Sequence, residues 1–282
     1  HIDCITSYPD REYTTLRKRM ADYVGTEKEN IIVGNGSTEL ISLFIQIEHP
    51  KKAMILGPTY SEYEREISLG GGTTLYYPLR EKDDFVLTPE AVEKALTPRT
   101  KVLMLNSPCN PTGGVISLEA LKALAKLAVE HDLFVISDEV YRHILFDGAE
   151  YHSIASLPGM AERTLIVDSC SKTFSMTGFR VGFGAAPAHL AELMTKLTEG
   201  VYSNAVTFSQ YGAQGCLLCV CQHQRHRPCC PGVFRPVAGG SPCGGGARRQ
   251  LRLQGRNALH SPILRHQHGE YSGRNGPAGG VL

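Results

Sequence analysis

The chain has 282 residues, of which 42% are hydrophobic and 20% charged, and its formal net charge is +1 at pH 7. This composition predicts a globular protein with a sizeable core, arranged as one large domain or two of ordinary size. The near-neutral charge gives no electrostatic reason to expect nucleic acid or an anionic membrane as a partner, and no apolar run approaches the ~20 residues that span a bilayer. We therefore expect a cytoplasmic protein. Because the chain begins at His1 rather than at Met, we also expect that an N-terminal piece is missing.

Up to residue 213, strand-like and helix-like segments alternate along the chain. In order they are a helix over 12–25 that ends at Gly25, a strand, glycine-rich turn and helix over 30–47, strands over 52–60 and 73–79, a helix over 88–96, a strand within 100–117, a helix over 117–132, and strands over 133–141, 164–170 and 179–187. Thr88 and Ser117 are the predicted N-caps of their helices. This alternation predicts an α/β fold with a mainly parallel sheet between helices. Since ligands of such sheets bind at the carboxyl ends of the strands, these ends are the places to look for a site.

Two glycine-containing loops follow predicted strands. GNGSTE (34–39) opens a helix, where backbone N–H groups and the hydroxyls of Ser37 and Thr38 favour an anion such as phosphate. NSPCNPTGG (106–114) contains two X-Pro bonds and a glycine pair, and it holds Asn110 close to the end of a strand. GNGSTE alone is more typical of an ordinary turn, and NSPCNPTGG alone is equally typical of one.

Two further strand ends carry charged side chains. Asp138 follows the apolar run LFVI after a single serine, so we expect it to be buried and to need a cation or strong donors to stay charged. Lys172 also follows a predicted strand, where partial desolvation favours the neutral, nucleophilic amine. Ser169, Ser171 and Arg180 add hydroxyls and a guanidinium suited to a phosphate dianion. The ordinary alternatives are a surface ion pair for Asp138 and a solvated loop position for Lys172.

Together these strand ends describe a pocket with a phosphate cradle, a buried acid, an amide and a lysine. That set suits pyridoxal phosphate, which forms a Schiff base with a lysine and pairs its ring nitrogen with a carboxylate. A lysine-and-serine hydrolase would use neither Asp138 nor Arg180, so it is the weaker interpretation.

The motifs NSPCNPTGG, SDEVY and SCSKTFSMTGFRVG resemble, in this order and spacing, the fold-type I pyridoxal-phosphate aminotransferases of class I/II. The resemblance covers about residues 5–213. Within it, residues 5–80 are similar to the histidinol-phosphate aminotransferase and threonine-phosphate decarboxylase branch, and residues from about 86 to 213 to the aspartate and aromatic aminotransferase branch. It implies a truncated N-terminal segment over 1–30 and a large cofactor-binding domain over 31–213.

The resemblance also implies roles for individual residues. Lys172 would form the Schiff base and act as the general base. Asp138 would pair with the pyridinium nitrogen, while Asn110 and Tyr141 would bind the 3-oxygen of the ring. Tyr60 would stack on the ring. The phosphate would be held by Gly36, Ser37, Thr38, Ser169, Ser171 and Arg180, joined by Tyr8 of a neighbouring subunit in a homodimer.

The activity implied is transfer of an amino group between an amino acid and a 2-oxo acid. Two alternatives stay open, a lyase similar to threonine-phosphate decarboxylase and an inactive cofactor-binding remnant. The remnant is considered because the arginine that binds the substrate carboxylate in this family lies in a small C-terminal domain. We expect that domain to be missing or scrambled in this chain.

The composition changes abruptly near residue 213. Residues 1–213 hold eleven lysines and 27 acidic residues, whereas residues 214–282 hold no lysine, nine arginines, six cysteines and a single acid, Glu270. Such a composition resembles GC-rich codons translated out of frame. We therefore hypothesise a frameshift near residue 213 and a disordered tail over 214–282.

The tail contains a cysteine-rich and histidine-rich stretch whose C-x-x-C spacing can bind zinc. Its members are Cys216, Cys219, Cys221, His223, His226, Cys229 and Cys230. Because a second ligand pair at zinc-finger separation is missing, we expect no metal site there.

Overall fold

The structure, a computed structural model, describes Cys4 and residues 6–225. These residues form seven strands, β1 Ile31–Gly34, β2 Lys52–Gly57, β3 Thr73–Pro78, β4 Thr100–Asn106, β5 Phe134–Asp138, β6 Thr164–Ser169 and β7 Gly182–Ala185. They also form eight α-helices, α1 Thr14–Val24, α2 Ser37–Glu48, α3 Glu62–Leu69, α4 Pro89–Ala95, α5 Leu118–Glu130, α6 Cys170–Thr173, α7 Ala188–Tyr202 and α8 Thr207–Arg225. Within this part of the chain, no helix is long and apolar enough to cross a membrane.

All seven strands join one sheet in the order β1-β7-β6-β5-β4-β2-β3. The five strands from β6 to β3 are parallel, which confirms the predicted mainly parallel sheet. β7 departs from this pattern, because it runs antiparallel to both β6 and β1. To run parallel to β6, β7 would need a crossover connection, usually an α-helix, that returns the chain to the end of the sheet where β6 begins. Residues 170–181 hold only the single turn α6 and a short 3-10 turn, so the chain returns in the opposite direction.

Each central strand buries side chains on both faces of the sheet. In β4, Val102 and Met104 join the core on one face, and Leu103 and Leu105 the core on the other. Helices α2, α3 and α7 cover the first face. Helices α4 and α5 cover one half of the second face, and α1 and α8 cover the other half. The predicted layering, a sheet between helices, is therefore confirmed.

Two of the three predicted helix caps form capping hydrogen bonds in the structure. Gly25 ends α1 with a φ of 83°, and its N–H donates to the carbonyl of Ala21 at 2.8 Å. The Ser117 hydroxyl caps α5 by accepting from the N–H of Ala120 at 3.2 Å. Thr88 occupies the N-cap position of α4, but its side chain makes no capping hydrogen bond.

Helix α8 runs without interruption through residue 213. Its residues Ala213 and Leu217 are buried in the same core as Leu16 and Met20 of α1. The proposed frameshift near residue 213 stays a prediction, and most of the predicted tail lies outside the described residues.

Candidate active site

The carboxyl ends of three adjacent strands, β4, β5 and β6, meet at one edge of the sheet. Asn106 lies beside Asp138 in the strand register, and Ser169 ends the next strand. Because β7 is antiparallel to β1, Gly34 and Gly182 are paired at this same edge, which brings the loop after β1 close to Arg180. A cavity of about 190 Å³ opens there, lined by Ser37, Thr38, Tyr60, Tyr63, Asn106, Asn110, Asp138, Val140, Tyr141, Ser169, Ser171, Lys172, Thr177 and Arg180.

Asp138 lies in the wall of the cavity and is 7% exposed. Its Oδ2 accepts a hydrogen bond of 2.5 Å from the hydroxyl of Tyr63, and its Oδ1 accepts one of 3.2 Å from the N–H of Val140. Burial raises the pKa of Asp138 to about 6, although both hydrogen bonds act to lower it. The prediction that Asp138 is buried and needs strong donors is thus confirmed.

Lys172 lies on the single-turn helix α6, directly after β6. The Ser169 hydroxyl caps this helix, since it accepts from the N–H of Ser171 at 3.1 Å and donates to the carbonyl of Val181 at 3.2 Å. The ammonium nitrogen of Lys172 lies 5.7 Å from the centre of the Tyr141 ring. Lys172 itself is exposed. Lys172 nevertheless lines the cavity, and the predicted partial desolvation of its amine stays a prediction.

The loop between β1 and α2 meets the Arg180 guanidinium. Gly36 has a φ of 107°, and a Cβ added there would lie 2.5 Å from Nη2 of Arg180. A Cβ on Gly182 would lie 2.3 Å from the backbone nitrogen of Ser37, so this glycine lets β7 pack against the loop. The start of α2, with Ser37 and Thr38, therefore lies next to a guanidinium. A helix N-terminus, two hydroxyls and a guanidinium together suit a phosphate dianion.

Aromatic and amide groups complete the lining. The hydroxyl of Tyr60 lies 3.4 Å from Oγ1 of Thr38, and its ring packs edge-on against Tyr63 with a centroid distance of 5.5 Å. The N–H of Asn110 donates to the side-chain oxygen of Asn106 at 2.8 Å, which fixes the loop after β4. An aromatic ring and an amide thus line the same cavity as the carboxylate of Asp138.

The structure brings together every predicted site residue except Tyr8. The backbone of Gly36 lies against the side chain of Arg180, and the other ten predicted residues line the cavity. Tyr8 is 93% exposed and lies beside Pro9, Arg11 and Lys196, away from the cavity. Its predicted contact with a neighbouring subunit stays a prediction.

Sequence reasoning missed four residues that line the cavity, Tyr63, Asn106, Val140 and Thr177. Tyr63 lies in the first turn of α3, three residues after Tyr60, which precedes the helix, so helical spacing does not relate the two tyrosines. Asn106 is the last residue of β4 and begins the loop NSPCNPTGG, from which only Asn110 was predicted as a site residue. Nothing local distinguishes Val140 or Thr177.

Among the described side chains, no three His, Cys, Asp or Glu residues are grouped as a metal site. Of the cysteine-rich and histidine-rich stretch, Cys216 is a half-buried free thiol, while His226, Cys229 and Cys230 lie outside the described residues.

The known sequences that this chain resembles are aminotransferases. Residues 3–222 match the family model described as aminotransferase class I and II. The aspartate aminotransferase of Pyrococcus abyssi is 43% identical over 183 residues, which are 65% of this chain and 47% of that protein. The aromatic-amino-acid aminotransferase 2 of Thermococcus litoralis is 40% identical over the same shares. The chain thus spans about half the length of the curated relatives it matches.

Solved structures give the same result. The aromatic aminotransferase of Pyrococcus horikoshii superposes with a TM-score of 0.73 and 36% identity, covering 77% of this chain and 61% of that one. The aspartate aminotransferase of Thermus thermophilus with maleate has a TM-score of 0.70 and 31% identity, covering 75% and 57%. Nothing in these similarities favours the decarboxylase branch. The chain therefore belongs to the class I and II aminotransferases, a family that depends on pyridoxal phosphate.

Proposed function

We propose that this chain is the cofactor-binding part of an enzyme that moves an amino group between an amino acid and a 2-oxo acid. One observation carries the proposal: Asp138 at the end of β5, and Lys172 and Arg180 in the connection between β6 and β7, line a single cavity. The relatives named for aspartate and for aromatic amino acids support amino and oxo acids as the substrate class.

The residues present fit pyridoxal phosphate. Asp138 is a buried carboxylate whose unfavourable burial would be relieved by a cationic ring N–H. Asn110 and Tyr141 would donate to the ring oxygen, and Tyr60 would cover one face of the ring. Arg180 and the start of α2 would hold the phosphate, in a set completed by Gly36, Ser37, Thr38, Ser169 and Ser171.

When bound, the cofactor supplies an acceptor for the electron pair released at the substrate Cα. Lys172 Nζ would carry the cofactor at rest and, once free, take the proton from the substrate Cα. The Tyr141 ring, 5.7 Å from Nζ, would help to position this amine. Asp138 would keep the ring nitrogen protonated throughout.

We further propose a homodimer in which Tyr8 reaches the phosphate site of the neighbouring subunit. Two observations support it: Tyr8 is 93% exposed, and Lys172, which lines the cavity, is exposed in the single chain. The cytoplasmic location stays a prediction.

Absorbance of the purified chain during titration with pyridoxal phosphate tests the proposal. We expect the visible band of lysine-bound cofactor in the wild type and in the control Lys82→Ala, whose lysine is exposed between β3 and α4. Lys172→Ala should abolish the band. A wild type without this band would refute the proposed function.

Adding substrates separates the remaining alternatives. Loss of the band on addition of aspartate or tyrosine, with an oxo acid formed, supports amino-group transfer. If the band persists with every amino acid tested, the chain is a cofactor-binding remnant. Release of carbon dioxide from threonine phosphate would instead identify a lyase.

A further inference from the structure

A buried ion pair lies behind the cavity, between Arg142 and Asp168. Nε of Arg142 is 3.0 Å from Oδ2 of Asp168, and the two side chains are 11% and 1% exposed. In β6, Asp168 alternates with Val167, so it faces the side of the sheet that α1 and α8 cover. Neither side chain lines the cavity.

Each partner of this pair is the sequence neighbour of a predicted cofactor ligand. Arg142 follows Tyr141, and Asp168 precedes Ser169. The pair therefore joins the turn after β5 to the end of β6, which are the two segments that carry Tyr141 and Lys172.

On the β6 side, the contacts continue to the helix of Lys172. The second carboxylate oxygen of Asp168 accepts from the N–H of Ser169 at 2.6 Å. The Ser169 hydroxyl in turn accepts from the N–H of Ser171, in the first turn of α6. The Asp168 carboxylate thus forms an ion pair with Arg142 through one oxygen and accepts a hydrogen bond at the base of the Lys172 helix with the other.

On the β5 side, Arg142 is held from two further directions. The backbone N–H of Arg142 donates to the carbonyl of Glu139 at 2.9 Å, which closes the turn that contains Tyr141. Its guanidinium lies 4.8 Å from the centre of the Tyr23 ring, on α1. These contacts leave the backbone beside Tyr141 little freedom to move relative to β6.

We propose that Arg142 and Asp168 are positioning residues that fix Tyr141 relative to Lys172. A buried charge without its partner is strongly unfavourable, so the pair selects one arrangement of the two segments. Because cofactor ligands act only within a narrow range of geometry, this selection determines how well the cavity binds pyridoxal phosphate. The role in cofactor binding rests on the function proposed above, whereas the coupling of the two segments does not.

The test compares Arg142→Met and Asp168→Asn with Arg163→Met. Arg163 pairs with Asp132 at 3.3 Å and lies at the opposite end of β6, so its variant removes an arginine ion pair far from the cavity. Two quantities are measured below the unfolding temperature of each variant. They are the hydrogen exchange of the Ser169 and Ser171 amides in cofactor-free protein, and the Kd for pyridoxal phosphate.

We expect Arg142→Met to speed exchange of both amides roughly tenfold relative to β2 amides, and to weaken cofactor binding about tenfold. The double variant Arg142→Met with Asp168→Asn should bind pyridoxal phosphate no more weakly than whichever single variant binds it more weakly, because both changes break the same ion pair. Arg163→Met should stay within about twofold of wild type in both quantities.

Exchange that rises equally in β2 and around Ser169, with Kd unchanged, would show that the pair only stabilises the fold and would overturn the proposal. If Arg142→Met does not fold, Asp168→Asn decides in the same way, since Asn keeps an oxygen that accepts from Ser169. If the wild type binds no cofactor, the proposed function fails, while the exchange result still decides whether the pair couples the two segments.

Discussion

The hydrogen bond from Tyr63 to Asp138 makes a quantitative prediction. The hydroxyl lies 2.5 Å from Oδ2 of a carboxylate that is 7% exposed, and this bond lowers a pKa that burial has raised to about 6. A hydrogen bond to a charged group contributes about 1.5–3 kcal/mol, and one pH unit of pKa corresponds to ~1.4 kcal/mol. Tyr63→Phe should therefore raise the pKa of Asp138 by about one to two further pH units.

The same variant should change how stability depends on pH. The folded-state pKa of Asp138 lies above its ordinary value of 3.8, so between these two values the folded chain binds the proton more tightly than the unfolded chain. This stabilising contribution is complete below about pH 4 and is lost as pH rises through about 6, at a cost of ~3 kcal/mol. In Tyr63→Phe the loss continues to higher pH. The variant should therefore be about 1.5–3 kcal/mol less stable than wild type at pH 8, with a smaller difference at pH 4.

Carbon-13 NMR of labelled aspartate carboxyl groups measures the pKa directly in cofactor-free protein, with Asp138→Asn identifying the resonance. Urea unfolding at pH 4 and pH 8 gives the stabilities. Tyr76→Phe is the control, since Tyr76 is 52% exposed on the edge strand β3. An Asp138 pKa that is unchanged or lower in Tyr63→Phe would refute the reasoning.

Two glycines and two helix caps provide further tests. Gly36→Ala would strain a backbone at φ 107° and place a methyl 2.5 Å from Nη2 of Arg180, so we expect roughly tenfold weaker binding of inorganic phosphate by phosphorus NMR. The control is Gly71→Ala, where φ is 78° and an added Cβ would have nothing within 4 Å. This change strains the backbone but should leave phosphate binding unchanged. Equal losses of phosphate affinity in the two variants would contradict the role of Arg180. Ser117→Ala should cost about 1 kcal/mol in urea unfolding because the hydroxyl caps α5. Thr88→Ala should cost less than about 0.5 kcal/mol, since its side chain makes no capping bond, and a loss as large as that of Ser117→Ala would contradict this reading of the caps.

Much of the site was predictable because it lies at strand ends. An apolar run that ends in a polar residue is visible in the sequence, as at Asp138, and parallel strands bring such ends to one edge. Ten of the predicted residues do line the cavity. The exposure of Lys172 could not be predicted in this way, since exposure depends on what surrounds α6 and not on the strand before it.

The sequence by itself determined the alternation of elements, the mainly parallel sheet and the buried carboxylate, because periodicity and apolar runs act over neighbouring residues. Only the tertiary structure decided that β7 turns antiparallel and so carries Arg180 to the loop of Gly36. It also decided the partners that meet across long separations, Tyr63 with Asp138 and Arg142 with Asp168. Such pairs leave no local pattern, because each depends on how two distant segments pack against the same sheet.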